Sequence, residues 1–361
     1  MTSLLSDNFR SIVLKETPLL DVRACVEFTK GAFLNATNIA ILNDKERELV
    51  GTRYKTHGNK AAIKLAEELI KQEGKAQRVQ AWKEYLEKNS NALLYCFRGG
   101  QRSGISQAWL SEAGINITRL KGGYKAFRNF LMEESLRVSQ ASETIIIGGR
   151  TGSGKTILID KLKNSIDLEK IANHRGSTFG GFVKQQPSQI DFENALAYAL
   201  IQFDAKKYET LILEHESNNI GKAFIPKPIY TNLMDGKFIL LETTLQTRVE
   251  IIFQDYICNS LEEYTLKYQE NGIKTWADVI SKSLDKIQKR VGVERHAELK
   301  NIFNEAFLEH IKNNNVEGYK LLIEKLLREY YDPMYDYQLE KNKIPIIFKG
   351  NEREILEFLK H

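Results

Sequence analysis

At 361 residues, with 42% hydrophobic and 27% charged residues and only six prolines, the chain is long for one core and too apolar for disorder, so two globular domains are expected. Three cysteines, Cys25, Cys96 and Cys258, are odd in number and far apart; they read as reduced thiols, which excludes a disulfide framework, and no metal-ligand spacing accompanies them. The net charge of +5 is unevenly spread: residues 1–130 carry 21 Lys and Arg against 13 Asp and Glu, the remainder 31 against 34. The first part is therefore the better candidate for an extended anionic partner such as RNA, although ordinary surface lysines would give the same balance. No apolar run approaches the roughly 18 residues of a membrane helix. Met1–Asp7 lacks the basic-then-apolar order of a secretory leader, so a cytoplasmic protein without membrane contact is expected.

In chain order, Ser11–Leu14 and Leu19–Arg23 read as strands, followed by helical spacing over Lys60–Gln72 and Val79–Lys88. Ala92–Tyr95 reads as a buried strand and Ile115–Leu120 as another. Strands alternating with helices predict a parallel sheet with helices on its faces. A helix tail ending in the polar Ser139–Ser142 predicts a linker over 131–142, between a first domain over 1–130 and a second over 143–361. The second domain opens with an apolar strand, Thr144–Ile147, a glycine loop and a helix over Thr156–Leu162. Strands follow at Thr210–Glu214 and Lys237–Leu241, then a mostly helical stretch over Val249–Tyr331, a late strand at Ile344–Phe348 and a closing helix.

Two anion loops stand out. The first, Cys96-Phe97-Arg98-Gly99-Gly100-Gln101-Arg102-Ser103, places one cysteine after an apolar strand and before a helix. Successive amides and the helix start would converge on the sulfur and favour its thiolate, making Cys96 a nucleophile. Gly99 and Gly100 let amides approach an anion, while Arg98 and Arg102 can pair with a tetrahedral oxyanion. The spacing Cys-x5-Arg-Ser is shared by cysteine-dependent phosphatases and longer-loop sulfurtransferases; the plainer alternative is a buried cysteine in an ordinary turn. The second loop, Gly149-Arg150-Thr151-Gly152-Ser153-Gly154-Lys155-Thr156, fits the phosphate-loop pattern at every fixed position. Its amides should wrap a phosphate, Lys155 neutralise it, and Thr156 reach a metal ion. Glu214-His215-Glu216-Ser217, at the end of a predicted strand, could supply a Walker B carboxylate or be a solvated strand end.

The residues resemble those of the tRNA 2-selenouridine synthase family. Asp21-Val22-Arg23, Glu27-Phe28, Gly31, Ala36 and Asn38 follow a rhodanese pattern, with Ala32-Phe33-Leu34-Asn35 replacing its usual His-x-Pro-Gly turn. The likeness continues through Val50–Gly58, the cysteine loop, Leu120–Arg128, His174–Ser177, Gln186–Gln189, Asp255-Tyr256 and Tyr330–Tyr335. Phe97 stands where the family commonly has tryptophan, and His215 where it has aspartate. The resemblance implies an α/β chain: a rhodanese-like parallel-sheet domain, then a P-loop NTPase-like domain with a helical C-terminal region. It also implies conversion of wobble 2-thiouridine in tRNA to 2-selenouridine, through an S-geranyl intermediate. Selenophosphate and geranyl diphosphate would be co-substrates, and an enzyme that makes selenophosphate the upstream donor. Selenophosphate would suit the loop of Cys96, which could carry selenium as a selenylsulfide, and geranyl diphosphate the loop of Lys155. A magnesium ion is a further candidate, with no protein metal site assigned. Arg119, Lys121, Tyr124, Lys125 and Arg128 offer cations and an aromatic ring for tRNA contact, or a solvated basic face. Rival readings are a cysteine-dependent phosphatase or sulfurtransferase fused to a kinase-like P-loop module, and a noncatalytic RNA-binding switch.

Overall fold

The computed structural model describes residues 4–181 and 183–360; Met1–Ser3, part of the segment read for a leader, lie outside the described residues. It divides into two compact units, the first reaching to Ser139 and including Ser188–Lys207, the second comprising Gln140–Pro187 and Tyr208 onward.

The first unit is built from β1 (Leu5–Ser6), α1 (Phe9–Leu14), β2 (Leu19–Asp21), α2 (Cys25–Phe28), β3 (Ala36–Asn38), α3 (Asp44–Lys88), β4 (Leu93–Tyr95), α4 (Gln101–Glu112), β5 (Thr118–Leu120) and α5 (Gly123–Ala141), with a later helix, Gln189–Ala205. Its five strands run parallel in the order β1-β5-β4-β2-β3, with Leu20 opposite Leu94 and Asp21 opposite Tyr95. Both faces of such a sheet are covered, and the inner strands β2 and β4 are accordingly mostly apolar and buried. Alternation sends Leu19 and Tyr95 into one core with Phe33, Phe127 and Tyr198. Leu20, Leu94 and Cys96 enter the other, with Trp82 of α3 and Leu110 of α4. An Asn43–Glu46 capping box starts α3, which breaks its helical path at Gly58 and again at Lys71.

The second unit follows with β6 (Glu143–Gly148), α6 (Lys155–Asp160), β7 (Ser165–Ile166) and α7 (Leu168–Ala172). After Gln189–Ala205, which is α8 in chain order, come β8 (Thr210–Glu214), the antiparallel pair β9 (Asn219–Ile220) and β10 (Ala223–Phe224), α9 (Lys227–Met234) and β11 (Lys237–Leu241). The parallel order β12-β11-β6-β8-β7, with β12 at Ile346–Gly350, puts β6 at the centre and sets Ile147 beside Glu214 of β8. The helical part runs through α10 (Leu245–Ile252), a π-helical turn at Phe253–Asn259, α11 (Ser260–Tyr268), α12 (Gly272–Val291), α13 (Val293–Asn313), α14 (Tyr319–Leu326), a second π-helical turn at Leu327–Tyr331 and α15 (Asp332–Asn342). Its core gathers Trp276, Phe303, Tyr319 and Leu327. The chain ends with β12 (Ile346–Gly350) and α16 (Glu352–Phe358).

Four expectations need correction. Ser11–Leu14 is helical, because Asn8 caps α1 by accepting from the Ser11 amide and the run buries Ile12 and Val13; periodicity cannot separate helix from strand over four residues. The expected linker 131–142 is the continuation of α5 as far as Ala141, where Leu131, Ser135 and Val138 are buried. Ser188–Lys207, expected within the second domain, packs with the first unit, where Ala197, Tyr198 and Ile201 join its core. The last strand lies at Ile346–Gly350, two residues later than expected.

Candidate functional site

Cys96 leaves β4 only 3% exposed, and its Sγ donates to Ser103 Oγ at 3.2 Å, which donates in turn to the Gly100 carbonyl at 3.2 Å. The loop packs backbone against backbone. Gly99 has φ +62° and Gly123 φ +61°; a Cβ on Gly123 would lie 2.3 Å from the Cys96 carbonyl oxygen and from the Gly99 nitrogen. The Tyr124 and Lys125 amides donate to the Cys96 and Phe97 carbonyls, both at 2.9 Å, so Gly122–Lys125 buttress the loop. Arg119 supports it as well, donating to the Gly99 and Gly100 carbonyls at 3.1 and 3.2 Å.

Arg102, in the first turn of α4, is gripped by both carboxylate oxygens of Glu27, at 2.5 and 3.1 Å, with Arg47 3.7 Å from the same carboxylate. Burial pushes Glu27 up, but the bonds and charge of Arg102 outweigh it and hold the group below the usual glutamate value. Nearby, Arg23 is buried against Asp21 at 2.7 Å, donates to the Gly31 carbonyl at 2.9 Å and lies 4.0 Å over the Tyr124 ring. A cavity of about 1650 Å³ opens beside these groups within the first unit. Arg98, Arg102 and Arg47 give it positive charge; Phe97, Tyr54, Ile63 and Trp109 give it apolar surface.

The second loop follows β6. Gly152 and Gly154 take φ +78° and +87°, which turns the chain tightly enough to expose successive amides. Lys155 Nζ donates to the Gly149 carbonyl at 3.0 Å, and Ser153 Oγ is buried without a partner. Arg248, 2% exposed, braces the loop by donating to the Thr151 carbonyl at 2.9 Å while forming a bidentate pair with Asp332 at 3.0 and 2.5 Å. A second, exposed pair joins Arg150 to Asp336 at 3.0 and 2.7 Å.

Four carboxyls gather next to this loop. Glu214 ends β8 and accepts the Glu169 amide on Oε1 at 2.8 Å, leaving buried Oε2 unpaired. Thr156 Oγ1 stands 3.5 Å from Glu169. Burial, then the charge of Glu216, pushes Glu169 up to about 8 against the pull of Lys155. Burial and the neighbouring Asp167 and Glu169 raise Glu214 well above the usual value, and burial raises Glu216 and Asp167. Glu169 therefore holds its proton at neutral pH. His215 moves the other way, lowered by burial and by Lys155. Among the described residues no group of three or more His, Cys, Asp or Glu is arranged to hold a metal ion.

Both halves of the chain match known families. Residues 5–130 match the rhodanese-like domain, and residues 142–361 match the tRNA 2-selenouridine synthase AAA domain. A tRNA 2-selenouridine synthase of Sulfurovum sp. is 49% identical over 98% of both chains. Those of Pseudomonas fluorescens Pf-5 and Hydrogenovibrio crunogenus are 42% and 43% identical, each over 98% of this chain and 97% and 98% of their own. The chain belongs to the tRNA 2-selenouridine synthase family.

Within that family fold, the structure brings together Cys96, Gly99, Gly100, Arg102 and Ser103 in one loop, with Arg98 at the cavity, and Gly149, Gly152, Ser153, Gly154, Lys155 and Thr156 in the other. Motif pieces far apart in sequence also meet: Arg175 bonds Asp255 at 2.7 Å and Ser177 bonds Tyr256 at 3.2 Å. The surface expected to touch tRNA is only partly a surface. Tyr124 is 7% exposed, stacked against Phe97 and covered by Arg23, so it offers no free face to a base. Arg119 holds the cysteine loop, and Arg128 pairs with Glu193 and bonds Asn194 at 2.6 Å. Lys121, which pairs with Asp7, and Lys125 are exposed. Arg248 and Glu169 emerge only from the structure; Glu27 and Asp332 lay in family motifs of the sequence, but their partners did not show there. No described helix is long and apolar enough to cross a membrane.

Proposed function

We propose that this chain is a tRNA-modifying transferase that replaces the sulfur of wobble 2-thiouridine with selenium, using geranyl diphosphate and selenophosphate. The observation that carries the reading is the pair of anion loops, each at the carboxyl end of a strand inside its own parallel sheet, one led by a cysteine and one by Lys155. Relatives of nearly equal length bear the name tRNA 2-selenouridine synthase.

The chemistry divides between the loops. A thiocarbonyl sulfur leaves carbon poorly, and alkylation converts it into a thiolate leaving group. The uridine sulfur attacks C1 of geranyl diphosphate, the C–O bond breaks, and diphosphate departs onto Lys155 and the loop amides. A divalent cation accompanying the diphosphate would be held by Thr156 Oγ1 and by the unpaired Oε2 of Glu214, displacing the proton that burial favours on that carboxyl, and would neutralise leaving-group charge. Because those residues form no cage, water and phosphate oxygens would complete its shell. Selenium from selenophosphate, held by Arg98, Arg102 and the amides of the cysteine loop, then replaces the geranylated sulfur.

Mass spectrometry of tRNA nucleosides after incubation with both co-substrates tests the assignment. The parent should yield 2-selenouridine, Cys96→Ala should stop at S-geranyl-2-thiouridine, and Lys155→Ala should leave 2-thiouridine. Phosphoester hydrolysis with unchanged tRNA, or 2-selenouridine from Cys96→Ala at the parental level, would overturn it.

A further inference from the structure

We infer that Cys96 attacks the phosphorus of selenophosphate rather than its selenium, so that the first unit works as a phosphatase-like module that releases selenide beside the base. The inference rests on the proposed use of selenophosphate and specifies which bond the cysteine loop breaks.

Electron bookkeeping separates the two routes. Selenium is already fully reduced in selenophosphate and has the same oxidation state in 2-selenouridine. Attack on selenium would leave a Cys96 selenylsulfide, push two electrons onto phosphorus as phosphite, and then require a reductant to recover selenide. Attack on phosphorus is redox-neutral. The S–P bond forms, the Se–P bond breaks with its electron pair on selenium, and the proton lost by the thiol is the one hydrogen selenide gains. Hydrogen selenide then attacks C2 of the S-geranylated base, expelling geranylthiolate. Water cleaves the S–P bond, returning the Cys96 thiol and phosphate.

The geometry suits an attack on phosphorus. Five residues separate Cys96 from Arg102, with Gly99 at φ +62° in the turn, a loop of the length and bend that can wrap a tetrahedral oxyanion. Glu27 grips Arg102 from both carboxylate oxygens, which fixes the guanidinium plane before an anion arrives. Ser103 Oγ lies 3.2 Å from Cys96 Sγ. Once the sulfur carries phosphate, that hydroxyl can turn to donate to it, stabilising the thiolate as it leaves phosphorus.

The test uses the full chain with geranylated tRNA and phosphorus-32-labelled selenophosphate, quenched rapidly in alkaline denaturant. Label should appear on the Cys96 peptide, phosphate should match 2-selenouridine mole for mole, and no added thiol should be needed. Ser103→Ala should increase the labelled fraction while slowing turnover, on the order of tenfold. Selenium on Cys96 with phosphite as product would overturn the inference, as would normal 2-selenouridine formation with no label on Cys96 at half-turnover. Failure of the parent to make any 2-selenouridine from selenophosphate would instead refute the proposed function on which it rests.

Discussion

Two arginine–aspartate pairs on one helix allow a direct test of what braces the phosphate loop. Asp332 and Asp336 lie one turn apart on α15, and each takes a guanidinium in bidentate fashion. Their surroundings differ. Arg248 and Asp332 are 2% and 17% exposed, Arg150 and Asp336 47% and 44%. Asp332→Asn leaves a buried guanidinium without its counter-charge, which costs about 3–5 kcal/mol, whereas Asp336→Asn removes a solvated pair worth roughly 0–1 kcal/mol. For a unit of this size the first change should lower the melting temperature by roughly 6–20 °C and the second by no more than about 4 °C. Because Arg248 also holds the Thr151 carbonyl, Asp332→Asn should further weaken the proposed binding of geranyl diphosphate, readable by calorimetry at a temperature where the variant is folded. Equal thermal shifts for the two variants would refute the claim that burial decides the worth of these pairs. Unchanged diphosphate affinity in Asp332→Asn would refute the bracing role of Arg248.

The remaining predictions concern proton and backbone constraints. Glu169, pushed up to about 8 from a usual value of 4.5, keeps in the folded state a proton that the unfolded chain loses between those pH values. Its contribution to stability is therefore present at low pH and lost as pH rises toward 8, with a slope of up to about 1.4 kcal/mol per pH unit. Urea midpoints at pH 5.5, 6.5 and 7.5 should fall in the parent and fall less steeply in Glu169→Gln; parallel declines would count against the assignment. Gly123→Ala combines a φ of +61° with a Cβ 2.3 Å from the Cys96 carbonyl oxygen, so selenium transfer should be lost while the geranylation proposed for the other loop continues. Normal selenium transfer in that variant would show that Gly123 does not shape the cysteine loop.

Both anion loops are legible in the sequence because their chemistry is local. Glycine, lysine and cysteine spacings encode backbone turns completed within eight or nine residues, and the flanking apolar strands identify their setting. What holds the loops is not local. Glu27 reaches Arg102 across 75 positions, Arg248 reaches Asp332 across 84, and the Glu169 amide reaches Glu214 across 45. Nothing in the composition of those segments marks the pairing before the sheets bring them together. The helix Gln189–Ala205 illustrates the same limit at the level of domains. It buries Phe192, Leu196, Ala197, Tyr198, Leu200, Ile201 and Phe203, too many for a narrow stripe, so its periodicity does not tell which core it serves.

The Arg119–Arg128 segment shows why charge and aromatic content alone overstate a nucleic-acid surface. Its two aromatic rings and both of its arginines have interior tasks: Tyr124 lies under Arg23, Phe127 is in the core, Arg119 holds the cysteine loop, and Arg128 is tied to Glu193 and Asn194. Phosphate attraction is thus left to side chains that face solvent, Lys121 and Lys125 on the segment with Lys55 and Arg98 along the cavity. Lys125→Ala should weaken tRNA binding at low salt and reduce the dependence of log Kd on log salt by roughly one ion, without moving the melting temperature. Tyr124→Ala should do the reverse, lowering the melting temperature by removing a buried ring while leaving the salt slope unchanged. If Tyr124→Ala altered the salt slope and Lys125→Ala did not, the division between interior and surface residues would be wrong.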